Sequence, residues 1–513
     1  MDILSNRKNS SSFFVENEMC ADEFASYFSS VFQTESCNTS VLDLQCLPVQ
    51  RLDLNVSEVV CVLRTLKRKS CGPNGLPFWI FRDCRSVLAP AITDIFNRCL
   101  NESLFPDCLK SANVSPIPKI YKPRFVQDYR PISLLPMLSK IFEKIICRKW
   151  LVPSIRDSMD VSQFAYIPGV GRGTVMATSS IYLHCVRYLD QHSGCTRMAT
   201  VDLKKAFDKI THSSIAEACV RFRLSRNLAS LVLSFLSNRQ QRVFFNNTFS
   251  PWTNVTSGVP QGSVMGPILF CMVVNDLAPV CQNSIFIKYA DDLTILNLFQ
   301  DSNDDNLQAE VSHVTEWCKT KGLDMNLSKC YVMNVITKKS LSCRPISITD
   351  DFFMTDANHL KILGCYFSHD MKWDKHVEMC IKNASRKVYL ILSLKRAGCS
   401  SKMLFYVYST CIRPILLYCF PTMCNMPQFL RRKLLSVEKR IFRIIACDEE
   451  LPSLFCVADA MCERIFKQVE SNLQHPLRDF FDNRLYKKRN KCPLRRPRTK
   501  TKRFCNTFIK YCK

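Results

Sequence analysis

The sequence predicts a mixed α/β protein of the α+β kind, and three observations carry that prediction. Amphipathic stretches at helical spacing recur along the chain, as at 58–69, where Val59, Val60, Val62, Leu63 and Leu66 fall on one side. Between them lie short apolar runs of strand character, at 197–202 and in the pair 286–290 and 293–296. Hydrophobic residues make up 47% of the 513 and charged residues 22%, so the chain can bury a sizeable core rather than stay disordered.

The elements follow in order. Residues 1–50 read as an acidic linker, with Arg7 and Lys8 set against seven acids. The helix 58–69 has Ser57 placed to be its N-cap. Helical spacing returns at 87–104 and 138–152. The run 197–202 is a short buried strand ending in Asp202. Residues 206–220 are helical, with Thr211, His212 and Ser213 as a possible break. The strands 286–290 and 293–296 flank Asp291 and Asp292, which suggests a hairpin. A helix at 305–322 ends at Gly322, with Lys319 and Lys321 in its last turn. Beyond 376 the chain is helical and basic, through Lys382, Arg386, Lys387, Lys395 and Arg396.

Charge narrows the function. Seventy Lys and Arg against 45 Asp and Glu give +25, a balance that suits a polyanionic partner, nucleic acid or an anionic membrane face. From Arg484 to the end there are thirteen bases and no acid. That tail reads as an extended or weakly ordered arm, either a nucleic-acid contact or a solvated tail or localisation signal. The longest apolar run, near 268–274, is far short of the ~20 residues of a membrane helix. The N-terminus lacks the apolar core of a signal peptide. These features argue against an integral membrane or secreted protein. The 29 cysteines include no Cys-x-x-Cys pair, and read as reduced small hydrophobes rather than a disulfide or zinc framework.

Glycine is scarce, twelve in all, so its clusters mark places where the backbone turns sharply or approaches something closely. Gly72-Pro-Asn-Gly75 follows Lys67-Arg-Lys69, a weak phosphate signal. Gly169-Val-Gly-Arg-Gly173 has neither the Lys-Ser/Thr end of a P-loop nor a clear strand before it, which excludes Walker A and dinucleotide sites. Gly258-Val-Pro-Gln-Gly-Ser-Val-Met-Gly266 precedes an apolar run and reads as a functional turn.

Three acids, Asp202, Asp291 and Asp292, interrupt apolar strands. Buried carboxylates need cations or strong donors. Lys204, Lys205 and Lys288 are near in sequence, and paired Mg²⁺ ions about 3.5–4 Å apart, as in in-line phosphoryl transfer, are the other possibility.

Together the motifs resemble the reverse transcriptases of non-LTR retrotransposons, the LINE-like elements, in their jockey or CR1-like branch. The resemblance runs from about 55 to 450. Ser115-Pro-Ile-Pro-Lys119, Asp128-Tyr-Arg-Pro-Ile-Ser-Leu-Leu135 and Gln163-Phe-Ala-Tyr-Ile-Pro-Gly169 resemble fingers motifs. Val201-Asp-Leu-Lys-Lys-Ala-Phe-Asp208, Ser257-Gly-Val-Pro-Gln-Gly-Ser-Val-Met-Gly-Pro267 and Tyr289-Ala-Asp-Asp292 resemble the palm and substrate motifs. Asn326-Leu-Ser-Lys329 and His359-Leu-Lys-Ile-Leu-Gly364 resemble the segments after them.

The resemblance implies a right-hand polymerase: fingers with part of the palm at 51–195, a ferredoxin-like palm at 196–340, a primer grip and helical thumb at 341–450, and the basic tail at 451–513. It implies RNA-directed DNA synthesis with two Mg²⁺ ions, Mn²⁺ being a substitute. Asp202, Asp291 and Asp292 would be catalytic, with the Leu203 carbonyl as a further metal ligand. Phe207 would exclude a ribose 2′-OH, or else is helix core. Gln261 and Gly262 would adjoin the incoming nucleotide and template. Lys329 would protonate pyrophosphate, or is a solvated charge. Arg130 and Arg172 would contact triphosphate or template, with an ion-pair role as the alternative for Arg130. Basic thumb helices would follow a duplex, or are solvated faces. Tyr406, Tyr408, Arg413-Pro414 and Tyr418 fit the family's post-palm helices.

Expected partners are an RNA template, a DNA or RNA primer, dNTPs, element RNA and target DNA, without a membrane. The expected location is nuclear and cytoplasmic, nuclear at the point of action. The usual upstream endonuclease has no room in residues 1–50. A catalytically silent nucleic-acid-binding relic and an RNA-dependent RNA polymerase are the alternatives.

Overall fold

The computed structural model describes residues 19–33, 44–169, 171–338, 340–446, 452–481, 497 and 499–511. Its strands in chain order include β1 (Ala112–Pro118), β2 (Tyr129–Leu134), β3 (Cys195–Val201), β4 (Leu203–Lys204), β5 (Arg239–Phe245), β6 (Thr248–Phe249), β7 (Thr253–Val255), β8 (Ser284–Tyr289), β9 (Asp292–Phe299), β10 (Asp324–Met325) and β11 (Tyr331–Ile336). The chain divides into two compact units: Met1–Leu151 with Phe207–Gly266, and Val152–Ala206 with Pro267–Lys513. Residues 207–266 thus group with the N-terminal part.

The first unit holds a sheet in the order β2-β1-β5-β6, with β7 also on β5. Strand β1 is antiparallel to β2 and parallel to β5. One face is covered by the helix Ala21–Ser29, whose Phe24 and Phe28 bury against Val114, Tyr129 and Val243. That helix lies inside the segment expected to be a linker. Its apolar residues, four apart on one side, outweigh the acidic composition. Residues 1–18 and 34–43 of that segment lie outside the described residues.

The helix expected at 58–69 is Val56–Arg64. Its N-cap is Asn55, not Ser57. Asn55 Oδ1 accepts from the Glu58 amide at 2.9 Å, and Glu58 Oε2 accepts from the Asn55 amide at 3.0 Å, a reciprocal capping box that Ser57 cannot form. Ser57 Oγ donates to Asn55 Oδ1 instead. The helix stops short of Lys67, Arg68 and Lys69, which lie exposed. Helices Arg85–Glu102 and Met137–Ile146 complete this layer, with Phe96 and Phe142 stacked at 4.2 Å. A π-helical turn at Cys147–Leu151 follows the second. The break expected near Thr211 is real: Ala206–Lys209 ends and His212–Arg221 starts with Thr211 as N-cap.

The second unit centres on an antiparallel run β11-β3-β9-β8. Its central strands β3 and β9 are buried on both faces over most of their length. A buried Arg197 in β3 is satisfied by Asp305 at 2.6 Å, Asn334 at 2.9 Å and the Arg344 carbonyl at 2.8 Å. The helices Thr174–Gln191 and Leu307–Thr320 pack on this sheet. Helices Asp374–Arg396, Gln428–Ile445 and Leu454–Ser471 join its core.

The tail is less extended than its composition suggests. Among its described residues, Phe504, Phe508 and Ile509 are buried, and the Asp190 carboxylate accepts from the backbone amides of Lys500 and Thr501. Three apolar side chains and one capping acid hold this end down. The run 484–496 lies outside the described residues. The described cysteines are all free, and no described helix is long and apolar enough to cross a membrane.

Candidate active site

The candidate residues divide between the two units. In the second unit, strand register gathers the acids. Val201 pairs with Leu293, so Asp202, one step beyond β3, shares an end of the sheet with Asp292, the first residue of β9. Between β8 and β9 the chain turns through Ala290 in a left-handed conformation (φ +57°). Buried Gln163 holds that turn: its Oε1 accepts from the Ala290 amide at 3.2 Å and the Ala165 amide at 3.0 Å. Its backbone also bridges Lys288.

Lys288 does not neutralise the Asp291–Asp292 pair. It is fully buried and pairs with Asp160 at 2.6 Å, donating also to the Leu277 carbonyl at 2.8 Å. In strand β8 it lies on the inward face, away from the turn, and this period-2 alternation overrides nearness in sequence. Lys329 does reach the acids: its Nζ is 3.4 Å from Asp202 Oδ2. Asn326 adds two bonds to Asp202: its side-chain amide donates to Oδ2 at 2.8 Å and its backbone amide to the carbonyl at 2.7 Å. Pairing of β10 with β4 brings it there, Met325 lying opposite Leu203. Leu203 itself is half-buried in β4.

The electrostatics confirm that these acids are close. The Asp292 carboxyl is pushed up to about 6, by burial first and then by the Asp291 and Asp202 charges, with Lys329 opposing. Asp292 is exposed as a whole residue, yet enough protein surrounds its carboxyl to penalise charge. The Tyr166 hydroxyl is also raised, by burial and then by the Asp291 charge. Repulsion among three neighbouring carboxylates, all oxygen donors, is the chemistry that a hard divalent cation relieves. Among the described residues no three such groups are already arranged to hold a metal, so the acids are gathered without forming a closed shell.

Arg172 also belongs to this unit. Half-buried, it donates to the carbonyls of Gln163 and Asp160, so its guanidinium fastens the loop carrying Gln163.

In the first unit the turn 257–266 is held at many points. The Gly258 amide donates to the Ile210 carbonyl at 2.7 Å and the Val259 amide to the Phe207 carbonyl at 2.8 Å. Phe207 is half-buried in the single-turn helix Ala206–Lys209. The Gln261 amide donates to both oxygens of Asp208, each at 2.8 Å. The Gln261 carbonyl accepts from the Ser133 amide of β2 at 2.7 Å. A Cβ on Gly262 (φ +122°) would meet the Ser133 carbonyl at 2.7 Å. Buried Glu143 Oε2 accepts from the amides of Val264 and Met265 at 2.7 and 3.0 Å. Arg130 lies exposed on β2 opposite Ile117, with no ion pair among the described residues.

Sequence reasoning gave no role to Asn326, Gln163, Tyr166, Asp208 or Glu143. The first four lie inside motifs already quoted, so the signal was their place beside an assigned residue. Glu143 had only an acid on an apolar helix face as its signal.

Residues 117–367 match the reverse transcriptase (RNA-dependent DNA polymerase) family. The chain is 28% identical over 330 residues to a probable RNA-directed DNA polymerase from transposon X-element of Drosophila melanogaster, covering 61% of this chain and 35% of that protein. It is 27% identical over 401 residues to the probable enzyme from transposon BS of the same organism, covering 72% and 42%. To the RNA-directed DNA polymerase from mobile element jockey, also of Drosophila melanogaster, it is 25% identical over 339 residues, covering 63% and 36%. The chain thus matches well under half the length of these relatives. Its fold mixes helices and antiparallel sheet as the sequence predicts, and residues 117–367 are a reverse transcriptase domain whose relatives are RNA-directed DNA polymerases of non-LTR elements.

Proposed function

We propose that this chain is an RNA-directed DNA polymerase that extends a primer 3′-OH along an RNA template with dNTPs. The observation that supports this most is the meeting of Asp202, Asp291 and Asp292 at one end of β3 and β9, with Asp292 lifted by burial and then by the other two charges. Reverse transcriptases use divalent metal ions, and here Asp202, the Leu203 carbonyl, Asp291 and Asp292 would hold two Mg²⁺, or Mn²⁺. Bound there, the metal supplies charge neutralisation for the 3′-hydroxyl and the triphosphate.

The rest falls to this chain's own side chains. Asn326 orients Asp202 and leaves one of its carboxylate oxygens for a ligand. Lys329, exposed beside Asp202, stands ready to give a proton to departing pyrophosphate. Gln261 and Gly262 would border the nucleotide, and Phe207 would exclude a ribose 2′-OH. Arg130, exposed on β2, would reach triphosphate or template. The primer would be DNA or RNA, with element RNA and target DNA as partners and the nucleus as the point of action.

The test is primer extension with purified protein on RNA and DNA templates. Asp202→Ala and Asp291→Ala should each abolish dNTP incorporation while template binding remains. Near-wild-type incorporation by either variant overturns the assignment, and equal use of rNTPs by the wild type would favour an RNA polymerase.

A further inference from the structure

The five-stranded sheet of the first unit has two different faces. One is covered by the helix Ala21–Ser29. The other is open. Along β5, Gln240, Arg242 and Phe244 alternate with buried Arg239, Gln241 and Val243, so the first three share the open face.

Three aromatic rings stand on that face around one guanidinium. Arg242 lies 4.0 Å from the Phe249 ring centroid and 4.6 Å from that of Trp252. Phe244 packs on Phe249 at 4.7 Å. Asn113, paired with Arg242 in the neighbouring strand, accepts from its Nε at 3.0 Å and fixes its plane. The rings stay substantially exposed: Phe249 49%, Trp252 41% and Phe244 37%.

Charge selects the occupant. Strands β1, β2, β5, β6 and β7 contain no Asp or Glu, and Arg130 lies exposed on the same sheet. An acidic partner without flat rings would use the arginines and leave the aromatics wet. A partner with both phosphates and π-faces uses both, and single-stranded nucleic acid has them with its bases unpaired. The sheet also abuts the substrate turn, since the Ser133 amide of β2 donates to the Gln261 carbonyl. A strand lying on the sheet would lead directly to that turn.

We propose that the open face of this sheet is a stacking platform for single-stranded nucleic acid, with Phe244, Phe249 and Trp252 taking bases and Arg242 and Arg130 taking phosphates. It rests on the polymerase reading in sharing Arg130, but it involves none of the catalytic carboxylates, so the two can fail separately.

The test is fluorescence anisotropy of the full chain with labelled oligo-rU and oligo-dT of about 15 nucleotides, a length that spans such a platform. A duplex of equal length is the control. Phe249→Ala with Trp252→Ala should weaken both single strands by at least about tenfold and leave duplex affinity within twofold. Phe249→Tyr with Trp252→Phe, which keeps the π-faces, should restore binding. Arg242→Gln should reduce the salt slope by about one. Because these rings are exposed, the variants should fold, and an unchanged melting temperature checks that. Loss for only one of oligo-rU and oligo-dT would assign the platform to that strand type. Single-strand affinity within twofold of wild type in the double alanine variant overturns the proposal. So does equal loss of duplex binding, or a change confined to self-association. Asp202→Ala should bind both oligonucleotides as the wild type does, so a failure of the polymerase reading leaves this result readable.

Discussion

The side-chain amide of Gln261 donates to both carboxylate oxygens of Asp208, each at 2.8 Å. A bond to a charged acceptor contributes about 1.5–3 kcal/mol, and here it fixes which way the amide points. Removing it in Asp208→Ala should raise the KM for dNTP by roughly tenfold or more, with a smaller fall in kcat. Asp208→Asn keeps one acceptor oxygen and should lose less. Steady-state incorporation measures both; an unchanged KM in the alanine variant would mean that Gln261 does not depend on Asp208.

The Asp292 carboxyl titrates near 6 in the folded chain, against about 3.9 when unfolded. Between those values the folded state holds the extra proton, so stability falls as pH rises from about 4 to about 6. In metal-free protein, Asp292→Asn should therefore melt higher than wild type at pH 7, and the gap should close towards pH 4. Thermal melts across that range give the answer. A gap that is constant with pH would show that Asp292 is not lifted.

Two glycines separate backbone strain from steric conflict. Gly398 (φ +83°) has open space where a Cβ would go, whereas a Cβ on Gly258 (φ +80°) would come 2.5 Å from the Asp208 carbonyl oxygen. Gly398→Ala should cost only about 1–2 kcal/mol, the strain of a left-handed L-residue. Gly258→Ala should lower the melting temperature further and remove incorporation as well, because the clash falls on the backbone of Asp208. Equal melting shifts for the two would argue against so close an approach.

Buried Glu143 satisfies two amides of the turn 257–266 through one oxygen. Glu143→Ala leaves both unpaired at a cost of about 1–3 kcal/mol each, and a drop of several degrees in melting temperature is expected. Glu143→Gln retains an acceptor oxygen and should lose clearly less. If the two variants melt alike, the turn is held by other contacts.

Most of the elements, and the three acids at strand ends, were legible in the chain alone. Asp202, Asp291 and Asp292 stood out because each breaks an apolar strand, and the hairpin around the last two followed from alternation and a turn. Those are local signals, set by side-chain period and backbone chemistry within a few residues. Contacts between partners far apart in the chain were not legible there. Lys288 is a neighbour of Asp291 in sequence, but strand alternation turns it inward to Asp160, while Lys329 and Asn326 reach Asp202 because β10 pairs with β4. The helix Ala21–Ser29 was hidden in an acidic segment because its worth lies in the sheet face it covers. The opposite face of that sheet, with Arg242 between Phe249 and Trp252, was invisible for the same reason: no spacing along one strand reveals which side of a sheet remains uncovered.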